Sequence, residues 1–442
     1  MRIGLLMLAV GMGVAAAQAG SGGAVVTPDV LITPVPVPSL PLGLVSLPGG
    51  KAINLTVSPG AGAFRNPADP PGRIWTITDR GPCIDCSEEK EALGHHDRQI
   101  CLPGKRGKIH LLPGYVPSIY AIDIGETTAR FIDMLPLKTA SGKPVTGLAN
   151  PLVNARGEAS YAMDGRQLDT DPSAVEPGGL VRVGDGSFWI ADSAGPSLIE
   201  IGPSGAVRRR LVPANLADDF SGADYPVQAV LPAILSRRQV SHGFDGIALS
   251  SDQRFLFVAM QNALANPDIE AYRAAPLVRL FKLERDSGRV VAEYVYRTDP
   301  VADYPADAGG LSRPPRQSDV RVAELAALGE DRLLVLERLR HTARIYRIDL
   351  AGATPLPAVF DREDARPALE QLDPRLYSET GVVPLDKLPV FRADKSVILG
   401  GRISGMAVLN DREIAILSNN DFGIDGSRTQ MFRLTFPAAV LN

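Results

Sequence analysis

Several features that would place this chain in a familiar class are scarce or missing. Its 442 residues include 3 cysteines, 2 tryptophans and 6% aromatic residues. The net charge is −4 with both signs interspersed, which excludes the basic surface of a typical nucleic-acid-binding domain. The sequence contains no Gly-x-Ser-x-Gly elbow and no Gly-rich phosphate loop that opens a helix, so a serine α/β-hydrolase and a P-loop enzyme are both disfavoured.

The beginning of the chain has the pattern of a cleavable export signal. Arg2 precedes an apolar stretch over residues 3–17, and Ala17-Gln18-Ala19 fits a small-residue cleavage site. About fifteen apolar residues are too few to span a bilayer, which takes roughly 20, and no later segment is apolar enough. No cysteine stands directly after the stretch, which argues against a lipoprotein anchor. We therefore predict a signal peptide over 1–19 that is cut after Ala19, and export to the periplasm or beyond.

Behind the signal, the composition divides the chain into an arm and a body. Residues 20–47 are rich in valine and proline with few charges, which predicts an extended arm. The remaining residues, 48–442, contain 32 prolines and 36 glycines, which suits many turns and few long helices. We predict that they form one domain.

All three cysteines fall in one loop, and they allow two interpretations. Cys83 and Cys86 have Cys-x2-Cys spacing, and His95, His96 and Cys101 follow, so the segment resembles a Cys3His zinc site. Export to an oxidising compartment favours a disulfide instead. There is no second Cys-x2-Cys pair, so we favour a disulfide from Cys101 to one of the other two cysteines.

A repeated pattern gives the fold. Strand-like apolar runs end in polar or acidic residues at 74–80, 187–193, 255–261, 333–338 and 414–420. Their starts are about 70 to 110 residues apart, longer than a minimal propeller blade of ~40–45 residues, so long loops must separate the strands. We predict an all-β fold, a β-propeller of six or seven blades, in which the polar strand ends meet at one mouth. Short helices are expected only in long connections, at 225–239 and 362–372.

Several short motifs, taken together and in order, resemble a known family. They lie at 78–82, 136–148, 185–198, 243–250, 334–338 and 419–423. The chain is similar over about residues 50–435 to exported phytase-like proteins described as "esterase-like activity of phytase". This resemblance implies a β-propeller and hydrolysis of phosphoric or carboxylic esters.

The resemblance also implies acidic positions at which this chain differs. Gly178, Ser193 and Ser404 stand where the family pattern has glutamate. Asp245 stands where that pattern has a longer glutamate, and Asn419 stands where it has aspartate. The acidic site that the resemblance implies is therefore partly degenerate in this chain.

The remaining acids could still hold a hard cation. Calcium takes six to eight oxygen ligands, mostly carboxylates. We predict Asp79, Asp192, Asp245 and Asp421 as ligands of a weakened calcium site. Glu337 is a further acid of the predicted active site.

Three basic residues complete the predicted site. Arg80 and Arg338 suit a phosphate or carboxylate because a guanidinium donates two parallel hydrogen bonds, and His242 suits proton donation near neutral pH. Each has a simpler alternative: a cap of the blade for Arg80, a structural ion pair between blades for Glu337-Arg338, and an exposed loop position for His242.

Two functions therefore remain open. The first is metal-assisted hydrolysis of a small phosphorylated substrate by an exported monomer with a degenerate acidic site. The second is a non-catalytic propeller that binds an anionic ligand or a partner in the cell envelope. Clustered carboxylates at one mouth would favour hydrolysis, and a flat or loop-covered mouth would favour binding.

Overall fold

The computed structural model describes residues 29–94, 99–103, 106–307, 313–393, 399, 401–439 and 441. The predicted export signal and the start of the arm lie outside these residues. So do His95 and His96, on which the zinc alternative depends.

The described chain is built almost entirely of strands, as predicted. In chain order they are β1 Leu31–Val35, β2 Pro41–Ser46, β3 Ala52–Thr56, β4 Pro59–Phe64, β5 Arg73–Thr78, β6 Cys83–Asp85, β7 Gly107–His110, β8 Ser118–Ile124, β9 Ala129–Pro136, β10 Ala159–Ala162, β11 Gln167–Leu168, β12 Pro177–Arg182, β13 Phe188–Asp192, β14 Ser197–Ile201, β15 Val207–Pro213, β16 Val227–Leu231, β17 Phe244–Leu249, β18 Phe255–Met260, β19 Leu277–Glu284, β20 Val290–Arg297, β21 Arg321–Ala327, β22 Arg332–Leu339, β23 Thr342–Asp349, β24 Lys387–Arg392, β25 Ile403–Asn410, β26 Glu413–Ser418 and β27 Met431–Thr435.

Helix is scarce. The α-helices of the described residues are α1 Glu89–Leu93, α2 Ile269–Ala274 and α3 Tyr377–Thr380, and none is long and apolar enough to cross a bilayer. The prediction of a helix over 225–239 was wrong, because prolines at 226 and 232 divide that segment into strand β16 and a 3₁₀ turn, Ala233–Arg237. The segment 362–372 likewise forms only a 3₁₀ turn at Leu369–Gln371, after the proline at 367.

Six sheets have four or five strands. Their orders are β4-β5-β8-β9, β12-β13-β14-β15-β16, β17-β18-β19-β20, β21-β22-β23-β24, β25-β26-β27-β1 and β6-β7-β10-β11, beside a small β2-β3 hairpin. The predicted β-propeller is confirmed. The arm contributes to it, because β1 pairs antiparallel with β27 and adds the outermost strand of the last sheet.

Five of these sheets surround a common axis. Their first strands, β4, β12, β17, β21 and β25, contact one another in that order and close a ring. The sixth sheet is assembled from the insertions before β8 and before β12, and its β7 and β10 run parallel. The six sheets of four or five strands, which equal the lower predicted number of blades, therefore consist of five sheets around the axis and this inserted sheet.

The ring is tight because small residues lie on its inner side. A Cβ atom on Gly62 would lie 2.6 Å from the Cα of Gly179, and one on Gly179 would lie 2.3 Å from the carbonyl oxygen of Asp245. The buried Glu324 carboxylate fills the remaining space, where it accepts backbone N–H bonds from Ala63 at 3.0 Å and Ile247 at 3.3 Å. The axis is therefore closed midway between its two ends.

The two ends of the propeller are distinct surfaces. We call the end at which the ring strands begin the front mouth; the second strands β5, β13, β18, β22 and β26 end there. The rear mouth is the opposite end, where the ring strands finish. Between the mouths the sheets pack face to face on a core that includes the fully buried Trp189, Phe244 and Phe257.

The cysteine loop lies in the inserted sheet. Cys86 and Cys101 form a disulfide, with Cα atoms 5.8 Å apart, which confirms the predicted disulfide and identifies the partner of Cys101. Cys83 is a free thiol, and burial raises its pKa to about 12.

Candidate functional site

The front mouth carries two arginines in direct opposition. The antiparallel register of β21 and β22 places Arg321 opposite Arg338. Like charges opposed across a sheet repel each other. Within the described residues neither guanidinium forms an ion pair, and Nε of Arg338 is buried without a hydrogen-bond partner. Burial and the charge of Arg321 lower the pKa of Arg338 to about 10. In the described part of the chain, this pair therefore has no carboxylate in direct ion-pair contact.

Asp245 lies near this arginine pair but does not neutralise it. Its carboxylate accepts one hydrogen bond from the Ser193 hydroxyl at 2.8 Å and another from the Gln261 amide. Burial raises the pKa of Asp245, and the two hydrogen bonds and then the charge of Arg338 oppose that rise. Both carboxylate oxygens therefore already have protein donors.

The glycine at position 178 is part of the same packing. A Cβ atom there would lie 2.5 Å from Oδ1 of Asp245 and 2.7 Å from the carbonyl oxygen of Phe244. The ring strand β17 thus occupies the space that a side chain at 178 would need. The glutamate that the family resemblance implies at this position has no room in this chain.

The ring of His242 is held in one tautomer. Its Nδ1 lies 2.8 Å from Oδ1 of Asn262, whose amide group donates to the carbonyl oxygens of Ser318 at 3.1 Å and Val320 at 2.9 Å. Because the amide of Asn262 uses its N–H groups on those carbonyls, its oxygen faces His242. Nδ1 must then carry the proton, and Nε2 is the basic nitrogen.

The charge state of His242 follows from its surroundings. Burial, followed by repulsion from Arg321, lowers its pKa to about 3. The ring is therefore neutral at neutral pH and can accept a proton at Nε2. The role of His242 as proton donor stays a prediction.

A second group at the front mouth contains two of the predicted metal ligands. The Arg402 guanidinium lies 3.3 Å from a carboxylate oxygen of Asp421 and 3.3 Å from one of Asp425. The amide of Asn419 lies 3.5 Å from a carboxylate oxygen of Asp79. Burial raises the pKa of Asp421, which Arg402 opposes. The charge of Arg402 also contributes to the lowered pKa of Arg338.

Arg80 belongs to a buried acid–base cluster. Its Nε donates to the carbonyl oxygen of Gly147 at 2.8 Å, and its Nη1 pairs with Glu158 and lies 3.4 Å from Glu176. Burial acts to lower the pKa of Arg80, but the two glutamates outweigh it. Burial raises the pKa of Glu176 to about 7, although Arg80 opposes this. Arg80 is therefore occupied by carboxylates of its own chain.

Asp192 is enclosed in a complete hydrogen-bond network. Its Oδ1 accepts from the backbone N–H of Glu176 at 2.7 Å, and its Oδ2 accepts from Arg210 at 2.5 Å and Ser197 at 2.8 Å. Asp192 and Arg210 are both fully buried. This network links β13, β14 and β15 with the residue that precedes β12, within one blade.

Glu337 is fully buried and faces a neighbouring blade. Its oxygens accept from the backbone N–H of Asp299 at 2.9 Å, the hydroxyl of Tyr296 at 3.0 Å and the ammonium of Lys387 at 3.0 Å. Successive side chains of a strand point to opposite faces. The side chain of Glu337 therefore does not lie beside that of Arg338 at the front mouth. The structure places it in an ion-pair network between blades.

The four predicted metal ligands are dispersed over these networks. Both oxygens of Asp192 and of Asp245 already accept from protein donors, whereas Asp79 and Asp421 lie beside Asn419. No group of three or more His, Cys, Asp or Glu side chains that could hold a metal ion occurs among the described residues. Calcium requires six to eight oxygen ligands. This donor set does not fit a calcium cage.

The structure also brings in residues that sequence reasoning missed. Arg321, Arg402 and Gln261 lie at the front mouth, and Glu158 and Glu176 flank Arg80. The Gly-Glu-Asp turn at 329–331 predicts that the strand of Arg321 pairs with the one that ends at 338, but it does not predict which residue lies opposite Arg338. Glu158 had no such local signal.

Comparisons with known proteins identify one distant curated relative and a family. A secreted protein of uncharacterised function from Arthroderma benhamiae is 25% identical over 258 residues, covering 51% of this chain and 46% of the relative. The chain thus spans about half the length of this curated relative.

Solved structures offer weaker similarities. Hydrazine synthase of Kuenenia stuttgartiensis matches with a TM-score of 0.33 at 11% identity over 88% of this chain and 87% of that chain. Virginiamycin B lyase of Staphylococcus aureus matches with a TM-score of 0.32 at 11% identity over 92% and 100% of the two chains. Scores this low say nothing about the chemistry of this chain.

The family is shown by the sequence match over most of the chain. Residues 65–422 match the phytase-like family described as "Esterase-like activity of phytase". This range includes four of the five ring strands, since β4 ends at Phe64, and it contains all the front-mouth residues named above except Asp425. The chain belongs to the phytase-like family.

Proposed function

We propose that the front mouth binds a small anionic ligand, a phosphate ester above all, between Arg321 and Arg338. The observation that carries this proposal is the opposed arginine pair, which has no acid partner among the described residues. Guanidinium groups bind phosphate oxygens with paired hydrogen bonds. A dianion bound here would relieve the repulsion between the two arginines, and Arg402 adds positive charge nearby.

Hydrolysis of the bound ester is the second candidate, and the state of His242 favours it. Its neutral ring offers Nε2 as a base beside the positive charge of Arg321. Nε2 would take a proton from water as the water oxygen bonds to phosphorus. The ester P–O bond would break, and the leaving alkoxide would take a proton from solvent. The description of the family by an esterase-like activity agrees with this chemistry.

The proposed setting is an exported monomer, cut after Ala19 and located in the periplasm or outside the cell. The Cys86–Cys101 disulfide supports an oxidising compartment. The name of the Arthroderma relative, a secreted protein, supports the same setting.

Calorimetric titration of the purified mature protein with phosphomonoesters and phytate, at constant ionic strength, tests binding. Loss of a charge-assisted contact weakens binding by about 1.5–3 kcal/mol, so Arg338→Ala and Arg321→Ala should each reduce the affinity about tenfold or more. Arg362→Ala is the matched control, because Arg362 is an exposed arginine paired with Asp364. Equal affinity in all four proteins would overturn the proposal.

Phosphate release from the same esters, with calcium and with EDTA, tests hydrolysis. If His242 is the base, His242→Asn should lower the turnover rate while ligand affinity persists. Tight binding without phosphate release under either condition would reject hydrolysis and leave a binding propeller.

A further inference from the structure

The rear mouth contains a cavity that is separate from the front mouth. Its volume is about 450 Å³, and it is lined by the far ends of the five ring strands. On β21 about 20 Å separates Arg321 at the front from Ala327 in the cavity wall, at ~3.3 Å per residue. The ring glycines and the Glu324 carboxylate close the axis between them. A ligand of one mouth cannot reach the other along the axis.

The walls of this cavity are mostly apolar. Leu249, Leu328, Met406, Val408 and Leu441 contribute to the lining. Cavities of roughly 300–1,000 Å³ with apolar walls and a few polar groups are the usual form of small-molecule sites. The shape and the lining therefore suit a compact molecule with an apolar body.

Two arginines line the same cavity, and only one of them has an acid partner. Arg182 pairs with Asp69 at 2.8 Å, and its guanidinium stacks 4.8 Å from the centre of the Trp75 ring. Arg65 forms no ion pair within the described part of the chain, and its buried Nε has no hydrogen-bond partner. Arg65 is half-buried. It is thus positioned to receive one anionic group.

The charge around the cavity limits the ligand to a single negative charge. Asp411 also lines the cavity and offsets part of the positive charge. A phosphate dianion would meet this carboxylate with only one unpaired arginine to bind it. A carboxylate carries one charge and matches a guanidinium with two parallel hydrogen bonds.

We propose that the rear mouth is a second binding site, for a small amphipathic monocarboxylate. Its carboxylate pairs with Arg65, and its apolar chain lies against Leu249, Leu328, Met406 and Val408. This site is independent of the anion site at the front mouth, and each can fail without the other.

Octanoate is the probe, and octanol is its uncharged control. Calorimetric titration of the mature protein is expected to show octanoate binding at least tenfold tighter than octanol. Arg65→Ala should weaken octanoate binding at least tenfold. Arg254→Ala is the matched control: Arg254 is an exposed arginine that does not line the cavity. The Arg254→Ala protein should bind octanoate as tightly as the unsubstituted protein does.

Two further variants separate this site from alternatives. Ala327→Leu narrows the cavity and should also weaken octanoate, whereas Arg338→Ala at the front mouth should leave it unchanged. Thermal unfolding without ligand confirms that each variant is folded. The proposal is overturned if octanoate does not bind, if Arg65→Ala binds it as well as the unsubstituted protein, or if Arg338→Ala abolishes binding.

Discussion

Arg210 and Arg338 lie in two different blades of the same propeller, on β15 and β22, and have opposite surroundings. Arg210 is fully buried and donates to Ser197 at 2.8 Å, to the carbonyl oxygen of Ala174 at 2.9 Å and to Asp192 at 2.5 Å. Arg338 has no ion pair within the described residues and faces the like charge of Arg321. The guanidinium of Arg210 donates to groups that hold the blade together, whereas Nε of Arg338 has no hydrogen-bond partner among the described residues.

The difference indicates which charged residues to assign to function. A buried charge with a complete set of partners is costly to disturb and is explained by folding alone. An arginine opposed by another arginine costs stability, so its presence is better explained by a ligand. By this criterion we assign Asp192 and Glu337 to the fold, and we propose Arg321 and Arg338 as binding residues.

The largest effect that would test this division is expected for Asp192→Ala. The substitution leaves Arg210 buried without its carboxylate, which should lower the free energy of unfolding by about 3–5 kcal/mol. Urea denaturation measures the change. Asp364→Ala, at an exposed ion pair, is the control and should stay within about 0.5 kcal/mol. A stable Asp192→Ala protein that has lost ligand binding would reverse our assignment of Asp192.

Two residues adjacent in sequence should behave in opposite ways. Glu337→Gln removes the negative charge that Lys387 and Tyr296 contact, and should lower the free energy of unfolding by about 2–3 kcal/mol. Arg338→Gln removes a repulsion of about 0.2–1 kcal/mol, so stability should hold or rise slightly.

Ligand titration provides the second readout for this pair. Glu337→Gln should bind phosphate esters like the unsubstituted protein, and Arg338→Gln should not. If Arg338→Gln is the less stable of the two variants, Arg338 has a structural role, and its assignment to ligand binding is wrong.

Local sequence patterns predicted the fold and also which end of the propeller carries the polar strand ends. Both predictions depend only on residues close together in the sequence. Strand-like runs with polar ends required only neighbouring residues, and antiparallel pairing then collects those ends at one mouth. The runs that end near Asp192 and Arg338 finish at the front mouth, as predicted.

The pairing of the charges could not be predicted, because it depends on register and on distant contacts. A β-bulge between Val322 and Glu324 shifts the register by one residue. Counting outward from the turn would therefore have placed Val322, not Arg321, opposite Arg338. Arg80 and Glu158 are 78 residues apart in sequence, and no local pattern joins them.

A substitution at Gly178 tests whether the ring has room for a side chain at the position where the family pattern has glutamate. Gly178→Ala introduces a Cβ atom 2.5 Å from the Asp245 carboxylate, so strand β12 or β17 must move. We expect the free energy of unfolding to fall by about 1–3 kcal/mol. Thermal and urea denaturation measure it.

Gly142→Ala is the matched control, because a Cβ atom there meets no other atom within 4 Å, although its φ of +88° adds a smaller strain. A Gly178→Ala protein more stable than this control would mean that the ring strands can separate. In that case restoring the family's glutamate at 178 becomes a reasonable route to a fuller acidic site.

The smallest effect concerns the pH dependence of stability and the state of His242. The folded ring stays neutral down to a pKa of about 3, whereas the unfolded ring takes up a proton below its ordinary value of 6.5. Stability is therefore lost as the pH falls below 6.5, by about 1 kcal/mol at pH 5.5. His242→Asn keeps a donor for Asn262 but does not titrate, so it should lack this part of the loss.

Urea denaturation of both proteins at pH 7.5, 6.5 and 5.5 measures the effect. The two curves of unfolding free energy against pH should run parallel above 6.5 and converge below it. Parallel curves down to pH 5.5 would mean that His242 gains its proton in the folded state as readily as in the unfolded state. A charged His242 would then join Arg321 and Arg338 as a third cation at the front mouth, and the base assigned to hydrolysis would be lost.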